Sequence, residues 1–421
     1  MKFLESELKK KPQILFVWNY LDWGGAQIYF LAIMKEARRD WRVKVILPRK
    51  SSKEIIRFIE QIGVEYEFID TYLDNSPAPN LKRKLQRQWR RIHAETVAFK
   101  HLLKYDLRKT ILHIETAPWQ SWLFLTALAM RGANIFVTMH NSLPKTSGWR
   151  EFLWRRRMQF VSRLKNFHIF PSNQDTKNSL EGWVAPEFLK KTKVTYTSVN
   201  PVEIEEVLKK ELDRERLCKK HGLPADKFLA LCVGQFIDRK GRWIFLEAAQ
   251  KVLQKTSEIA FVWLTPKLPE EEERRKIDEY NLGNSFHLVL SETVGKKRKE
   301  VLNFFRLSNV FALPSFVEGL PIALLEAMAL GIPSISTNVN AIPEAILDKK
   351  TGLLVPAGDS RALAKAILTL YSDENLRENL SNAGRNWVLG HFDEREAARI
   401  AIESYKECFK RNTKKGRDEN V

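Results

Sequence analysis

The chain has 421 residues, 44% hydrophobic and 29% charged. This is a globular composition on a length at which one hydrophobic core stops growing, so two domains are expected. The net charge is +19, and the three cysteines, Cys218, Cys232 and Cys408, are scattered and odd in number. That excludes a disulfide framework and fits a reducing compartment.

No signal peptide is predicted, because Glu5 and Glu7 precede a first apolar run that is short. The longest apolar stretch, 117–130, contains Gln120 and stops at Arg131, too short to span a bilayer. The protein is expected to be soluble or peripheral on a membrane.

Residues 13–20, QILFVWNY, form a short apolar strand that turns at Trp23-Gly24-Gly25 into a helix over 26–38. This is not a G-x-G-x-x-G fingerprint, so no dinucleotide site is indicated. Strands at 42–47 and 66–70 flank a helix at 53–61, and such alternation predicts βαβ units and a parallel sheet.

A proline-containing loop at 74–80 leads into a basic segment. Residues 82–109 sum to +8 and residues 150–165 to +5, so the positive charge is concentrated in the first half. Leu81, Leu85, Trp89, Ile92, Val97 and Phe99 recur at helical spacing among these cations. The pattern fits an ordinary amphipathic helix with a solvated charged face, and equally a helix facing anionic lipid head groups. No recognised nucleic-acid module accompanies the charge, so nucleic acid is not an expected partner.

Strands follow at 111–115 and 134–140. The second delivers His140 to its C-terminal end, the edge at which open α/β sheets bind ligands. The other histidines show no ligand spacing, so no metal site is expected. A basic-aromatic helix over 149–165, a strand at 167–172, a helix at 173–182 and a strand at 193–199 complete the first half. Residues 201–216 are charged and lack strand character, which places the domain boundary there.

The second half opens with a strand at 228–236, a loop Ile237-Asp238-Arg239-Lys240-Gly241, and a helix ending at Leu253. Strands at 259–265, 286–291 and 309–313 alternate with helices. After the last comes the stretch that organises the chain, PSFVEGLPIALLEAM over 314–328. Glu318 ends a short loop, Gly319 opens a helix, and Glu326 lies about 10 Å further along its axis at ~1.5 Å per residue. A strand, a glycine turn and a helix N-terminus form an anion site, and two acids so spaced can address different parts of one extended ligand. A further strand at 333–337, Pro343-Glu344 and residues 351–356 follow, and 411–421 reads as a frayed tail.

Glu318-Gly319-Leu320-Pro321, Leu325-Glu326-Ala327-Met328-Ala329 and Gly331-Ile332-Pro333 resemble the Glu-seven residues-Glu motif of retaining GT-B glycosyltransferases, the glycogen-synthase-like, group 1 family. The resemblance is tight over 228–360 and looser before. It implies an α/β fold of two Rossmann-like domains facing a cleft: 1–203 on the acceptor side, 204–390 binding the nucleotide sugar, and 391–421 crossing back. It implies transfer of a sugar, with retention, from a nucleoside-diphosphate sugar to an acceptor hydroxyl, without a metal or other cofactor. In that family the first Glu (Glu318) and the following amides (Gly319, Leu320) contact the transferred sugar, and the second Glu (Glu326) binds the ribose. Lys240, with Arg239 beside it, would hold the diphosphate; His140 would bond the donor sugar; Gly24 and Gly25 would line the cleft.

Two departures stand out. Gln235 occupies a position where the family has Arg, and Thr197-Ser198-Val199-Asn200 replaces an Asn-Gly-Val-Asp-like turn. They keep open other sugar-nucleotide chemistry on the same fold, such as an epimerase or phosphorylase, and a non-catalytic nucleotide-binding relative. The expected partners are a nucleotide sugar, a glycan or lipid-linked acceptor, and an anionic membrane surface met through 82–109 and 150–165. The expected location is the cytoplasm, peripheral on the inner face of the membrane.

Overall fold

The computed structural model describes residues 11–22, 24–73, 80–144 and 146–418, with side chains through Lys410. Most of the 74–80 loop and the side chains of the expected frayed tail lie outside the described residues. The chain forms two compact units, Met1–Tyr196 with Arg395–Val421, and Thr197–Glu394.

The first unit carries β1 (Gln13–Val17), α1 (Gly25–Ala37), β2 (Arg42–Pro48), α2 (Lys53–Gln61), β3 (Glu65–Ile69), α3 (Leu81–Leu102), β4 (Thr110–Ile114), α4 (Trp122–Met130), β5 (Asn134–Met139), α5 (Gly148–Val161) and β6 (Phe167–Pro171). All six strands are parallel, in the order β3-β2-β1-β4-β5-β6. Alternate residues of β1 serve opposite faces, as the strand period requires. Ile14 and Phe16 join a core with α1 and α2, whereas Leu15 and Val17 join one with α3, α4 and α5. Side-chain caps fix three helix starts: Ser52 on Ile55, Asn80 on Arg83, and Asn173 on Thr176.

The second unit carries α6 (Pro201–Leu208), β7 (Phe228–Val233), α7 (Arg242–Leu253), β8 (Ile259–Thr265), α8 (Glu271–Asp278), β9 (Phe286–Leu290), α9 (Arg298–Phe305), β10 (Val310–Leu313), α10 (Ile322–Ala329), β11 (Ser334–Thr337), β12 (Leu353–Val355), α11 (Ser360–Ser372) and α12 (Glu374–His391). Its sheet is also six-stranded and parallel, ordered β12-β11-β10-β7-β8-β9. In each sheet the first strand lies centrally and the order reverses beside it, at β1/β4 and at β7/β10. Those switch points are where open α/β sheets bind ligands.

The last helix, α13 (Glu394–Asp418), buries Ala398, Ala401, Tyr405 and Cys408 in the α1–α2 side of the first unit. Tyr405 Oη bonds His113 Nδ1 at 2.5 Å, and His113 Nε2 bonds Thr138 Oγ1 at 2.7 Å.

The strand expected at 193–199 does not form. Toward β6 it makes a backbone bond from Thr195 N to Pro171 O, 2.9 Å, and at its end only an isolated bridge, Val199 to Asp393. Thr195, Thr197 and Ser198 are buried, and the Thr195 hydroxyl bonds Tyr29 Oη of α1 at 2.6 Å. The units divide after Tyr196, a few residues ahead of the 201–216 boundary read from composition and of the 203/204 division the resemblance implies. Val199 already bonds inside the second unit, donating to Phe392 O and accepting from Glu394 N, both at 2.9 Å.

Candidate active site

In the second unit β7 and β10 are neighbours, so the loops that follow them meet. The β7 loop delivers Arg239 and Lys240, and the β10 loop delivers Glu318. Lys240 Nζ lies 2.5 Å from Glu318 Oε1, Ser315 Oγ donates to the same oxygen at 2.7 Å, and Arg239 lies 3.6 Å from Oε2. Glu318 is only 6% exposed. A carboxylate removed from water to that degree needs its cation, because an unpaired buried charge is strongly unfavourable.

The close approach of these loops depends on Gly241. Its φ is +73°, and an added Cβ would sit 2.0 Å from Pro314 O. No side chain fits there. The adjoining Phe316 N–H donates to Arg239 O at 2.9 Å, locking one loop to the other. Arg242 anchors the β7 loop from below. It bonds Asp238 Oδ1 at 2.8 Å and Phe236 O at 2.9 Å, and also pairs with Glu273.

The expected helix start at Gly319 is corrected. α10 begins at Ile322 with Pro321 as an extended N-cap. The residue before a proline is excluded from helical backbone, so Gly319 and Leu320 remain in the loop. They lead from Glu318 to the helix rather than forming its first turn. Glu326 is consequently about 6 Å along the axis from Ile322, one turn in rather than two.

Glu326 is 5% exposed and pairs with Arg298, the first residue of α9. Arg298 Nε also reaches Glu203 Oε2 on α6 at 3.2 Å. One guanidinium thus pairs with two acids. Sequence reading missed Arg298 because it sits in the run Lys296-Lys297-Arg298-Lys299, where nothing singles it out. It also missed Ser315, and Asn340, whose Oδ1 accepts from Glu318 N at 3.4 Å.

His140, Gly24 and Gly25 belong to the first unit. Gly24 caps α1 with extended backbone, φ −170°, a conformation open to any residue. His140 follows β5 and packs edge-on against Tyr29 and Phe30, with ring centroids at 5.4 and 5.6 Å. Burial lowers its pKa to about 4, so the ring is neutral at physiological pH. Its Nε2 lies 3.9 Å from Glu115 Oε2, just past β4. Burial raises the Glu115 carboxyl from its ordinary 4.5 to about 8, so at pH 7 this pair is a neutral acid beside a neutral imidazole. Nothing in the sequence distinguished Glu115 from a solvated acid at a strand end.

Two six-stranded parallel sheets, each in its own unit with a central switch point, are the architecture of the GT-B fold. Residues 213–387 match the family model of glycosyl transferases group 1. The capsular polysaccharide biosynthesis glycosyltransferase CapM of Staphylococcus aureus is 28% identical over 269 residues, 63% of this chain and 68% of CapM. The GDP-mannose-dependent alpha-(1-6)-phosphatidylinositol monomannoside mannosyltransferase of Mycolicibacterium smegmatis is 31% identical over 198 residues, 45% of this chain and 50% of that protein. In fold, the chain resembles Anabaena Alr3699/HepE, solved in complex with UDP-glucose. The TM-score is 0.71 at 16% identity, covering 94% of this chain and 100% of that one. The second unit thus carries the group 1 glycosyl transferase match, and the chain has the GT-B fold.

Proposed function

We propose that this protein transfers a sugar from a nucleoside-diphosphate sugar, with retention, to a lipid-linked or glycan acceptor in cell-envelope polysaccharide synthesis. The observation that carries the reading is Glu318 at the β7/β10 switch point, buried against Lys240 with Arg239 alongside. A diphosphate entering there takes over both cations, with Arg239 serving in place of the arginine that Gln235 lacks. Glu318 is released to the transferred sugar, and Glu326, held by Arg298, takes the ribose hydroxyls.

In the reaction the bond from the anomeric carbon to the diphosphate breaks and one to the acceptor oxygen forms on the same face. The acceptor proton leaves with the diphosphate. Charge grows on the leaving phosphate, and fixed cations stabilise it without reorganising. This electrostatic role is why the proposed chemistry needs no metal. His140 of the first unit, being neutral, can hydrogen-bond a sugar hydroxyl without adding charge. The test is product analysis by proton NMR with nucleotide sugars as donors. A retained anomeric configuration is expected, and an inverted product or an epimerised donor would refute the assignment.

A membrane-borne acceptor is supported by the first unit. Both basic segments fall in the helix layer of α3, α4 and α5, which also exposes apolar side chains. Trp89 is 72% exposed, Trp149 78% and Met130 82%, with Leu81, Leu85, Ile92, Leu123 and Phe152 also outward. Cations interleaved with outward aromatics suit an anionic interface. Among the described residues no helix is long and apolar enough to cross a membrane, so the proposed attachment is peripheral, on the cytoplasmic face. In flotation, the protein should rise with anionic vesicles but not neutral ones, and Leu85→Glu/Trp89→Glu should abolish this. Equal behaviour toward both vesicle types would sink the membrane reading.

A further inference from the structure

A cavity of about 630 Å³ lies in the first unit at the C-terminal ends of β2 and β3, walled on one side by the middle of α3. That volume falls in the range of small-molecule sites. Its lining is cationic and aromatic: Arg49 and Lys50 come from the end of β2, Tyr72 from beyond β3, and Trp89, Arg90 and His93 from α3. Asp70 is the acid among the described lining residues.

The backbone aims the first two cations. Arg49 N donates to Ile69 O at 2.9 Å beside the β2/β3 pairing, and Ser51 N closes a turn on Pro48 O at 2.9 Å. Ser51 Oγ ties that turn to Tyr20 O at 2.7 Å. Arg49 and Lys50 therefore leave the strand end together. Asp70 engages Nε and Nη2 of Arg49, at 2.5 and 3.4 Å, which orients the guanidinium. Lys50 Nζ stands 5.2 Å from the centroid of the Tyr72 ring. One acid is thus matched by one arginine, and Lys50 and Arg90 bring further positive charge. Trp89 has a second allegiance. It lines the cavity and also belongs to the outward apolar row Leu81, Leu85, Trp89 and Ile92, so that row runs to the rim of the cationic cavity.

We propose that this cavity seats the phosphate of a lipid, with the hydrocarbon chain laid along the outward row of α3. The inference rests on the membrane reading above and adds to it a headgroup chemistry that the exposed helix face alone does not define. Arginine and lysine are the side chains that meet phosphate oxygens with charge-assisted hydrogen bonds. Diffuse attraction to an anionic surface needs no cavity and no oriented guanidinium. A cationic cavity that adjoins an apolar row matches a ligand whose anionic group adjoins a hydrocarbon chain. Two sources share this chemistry: the phosphate of a prenyl-linked acceptor and that of bulk phospholipid.

The experiment is calorimetric titration of the whole chain with dihexanoylphosphatidic acid, farnesyl diphosphate, dihexanoylglycerol and inorganic phosphate, each below micelle formation. Wild type is compared with Arg49→Gln/Lys50→Gln, in which both altered side chains are exposed, so the variant keeps its fold. The phosphorylated lipids should bind about tenfold more tightly than dihexanoylglycerol or inorganic phosphate, and the variant should lose that margin. Tighter binding of farnesyl diphosphate assigns the phosphate to the acceptor, and tighter binding of phosphatidic acid assigns it to the bulk membrane; either upholds the site. Inorganic phosphate bound as tightly as the lipids overturns the proposal in favour of a soluble phosphorylated ligand. Equal binding of phosphatidic acid and dihexanoylglycerol, or a variant that matches wild type, overturns it even where the protein floats with anionic vesicles. A protein that ignores vesicles yet binds phosphatidic acid through these two cations upholds the site and refutes only the peripheral attachment.

Discussion

Lys240→Ala is expected to lower transfer by about 10² to 10³, the usual cost of removing one preorganised charge from a developing anion. The same substitution strands Glu318, which is 6% exposed, with only Ser315 and a more distant Arg239 for company. Leaving a buried carboxylate without its cation should destabilise the second unit by about 3 kcal/mol. The two effects can be separated. Adding Glu318→Gln to Lys240→Ala removes the stranded charge and should recover most of the stability. It should recover none of the transfer. Activity returning with stability in the double variant would mean that the pair is a structural ion pair and that the diphosphate lies elsewhere.

The second large effect is on nucleotide binding. Glu326→Ala should weaken the nucleoside diphosphate by about 10- to 100-fold, the worth of hydrogen bonds to a charged group. The fold should hold, because Arg298 keeps Glu203 at 3.2 Å. Glu326→Gln should fall between alanine and wild type, since an amide still meets a ribose hydroxyl but loses the charge. Calorimetric titration with the preferred nucleotide decides this, and an unchanged affinity in Glu326→Ala would remove Glu326 from the ribose site.

Much of this architecture was legible in the sequence because parallel strands covered on both faces must be short apolar runs, and the helices between them carry their own period. The Glu318 and Lys240 loops could be placed for the same reason, each following a strand directly. What was not legible depended on partners far apart in the chain. Arg298 means nothing until α9 sets it against α10 and α6. Glu115 looks solvated until Tyr20 and His140 close over it. Gly319 looked like a helix start, yet Pro321, two residues on, forbids one. The apolar period of α3 was visible, but not which way it points. Leu81, Leu85, Trp89 and Ile92 face outward, whereas Ala94 and Leu102 are buried, so the stripe that would ordinarily meet a core is the one left open.

The β7/β10 switch point is expected to bind a nucleoside diphosphate. Thermal melting of the wild-type protein with UDP, GDP, ADP and CMP in turn tests it most directly. One diphosphate, at 100 times its dissociation constant, should stabilise the protein by about 2.7 kcal/mol, a rise of several degrees, while CMP should give little. No shift with any of the four would contradict the account, leaving Lys240, Glu318 and Glu326 as structural charges in a fold that no longer binds its donor.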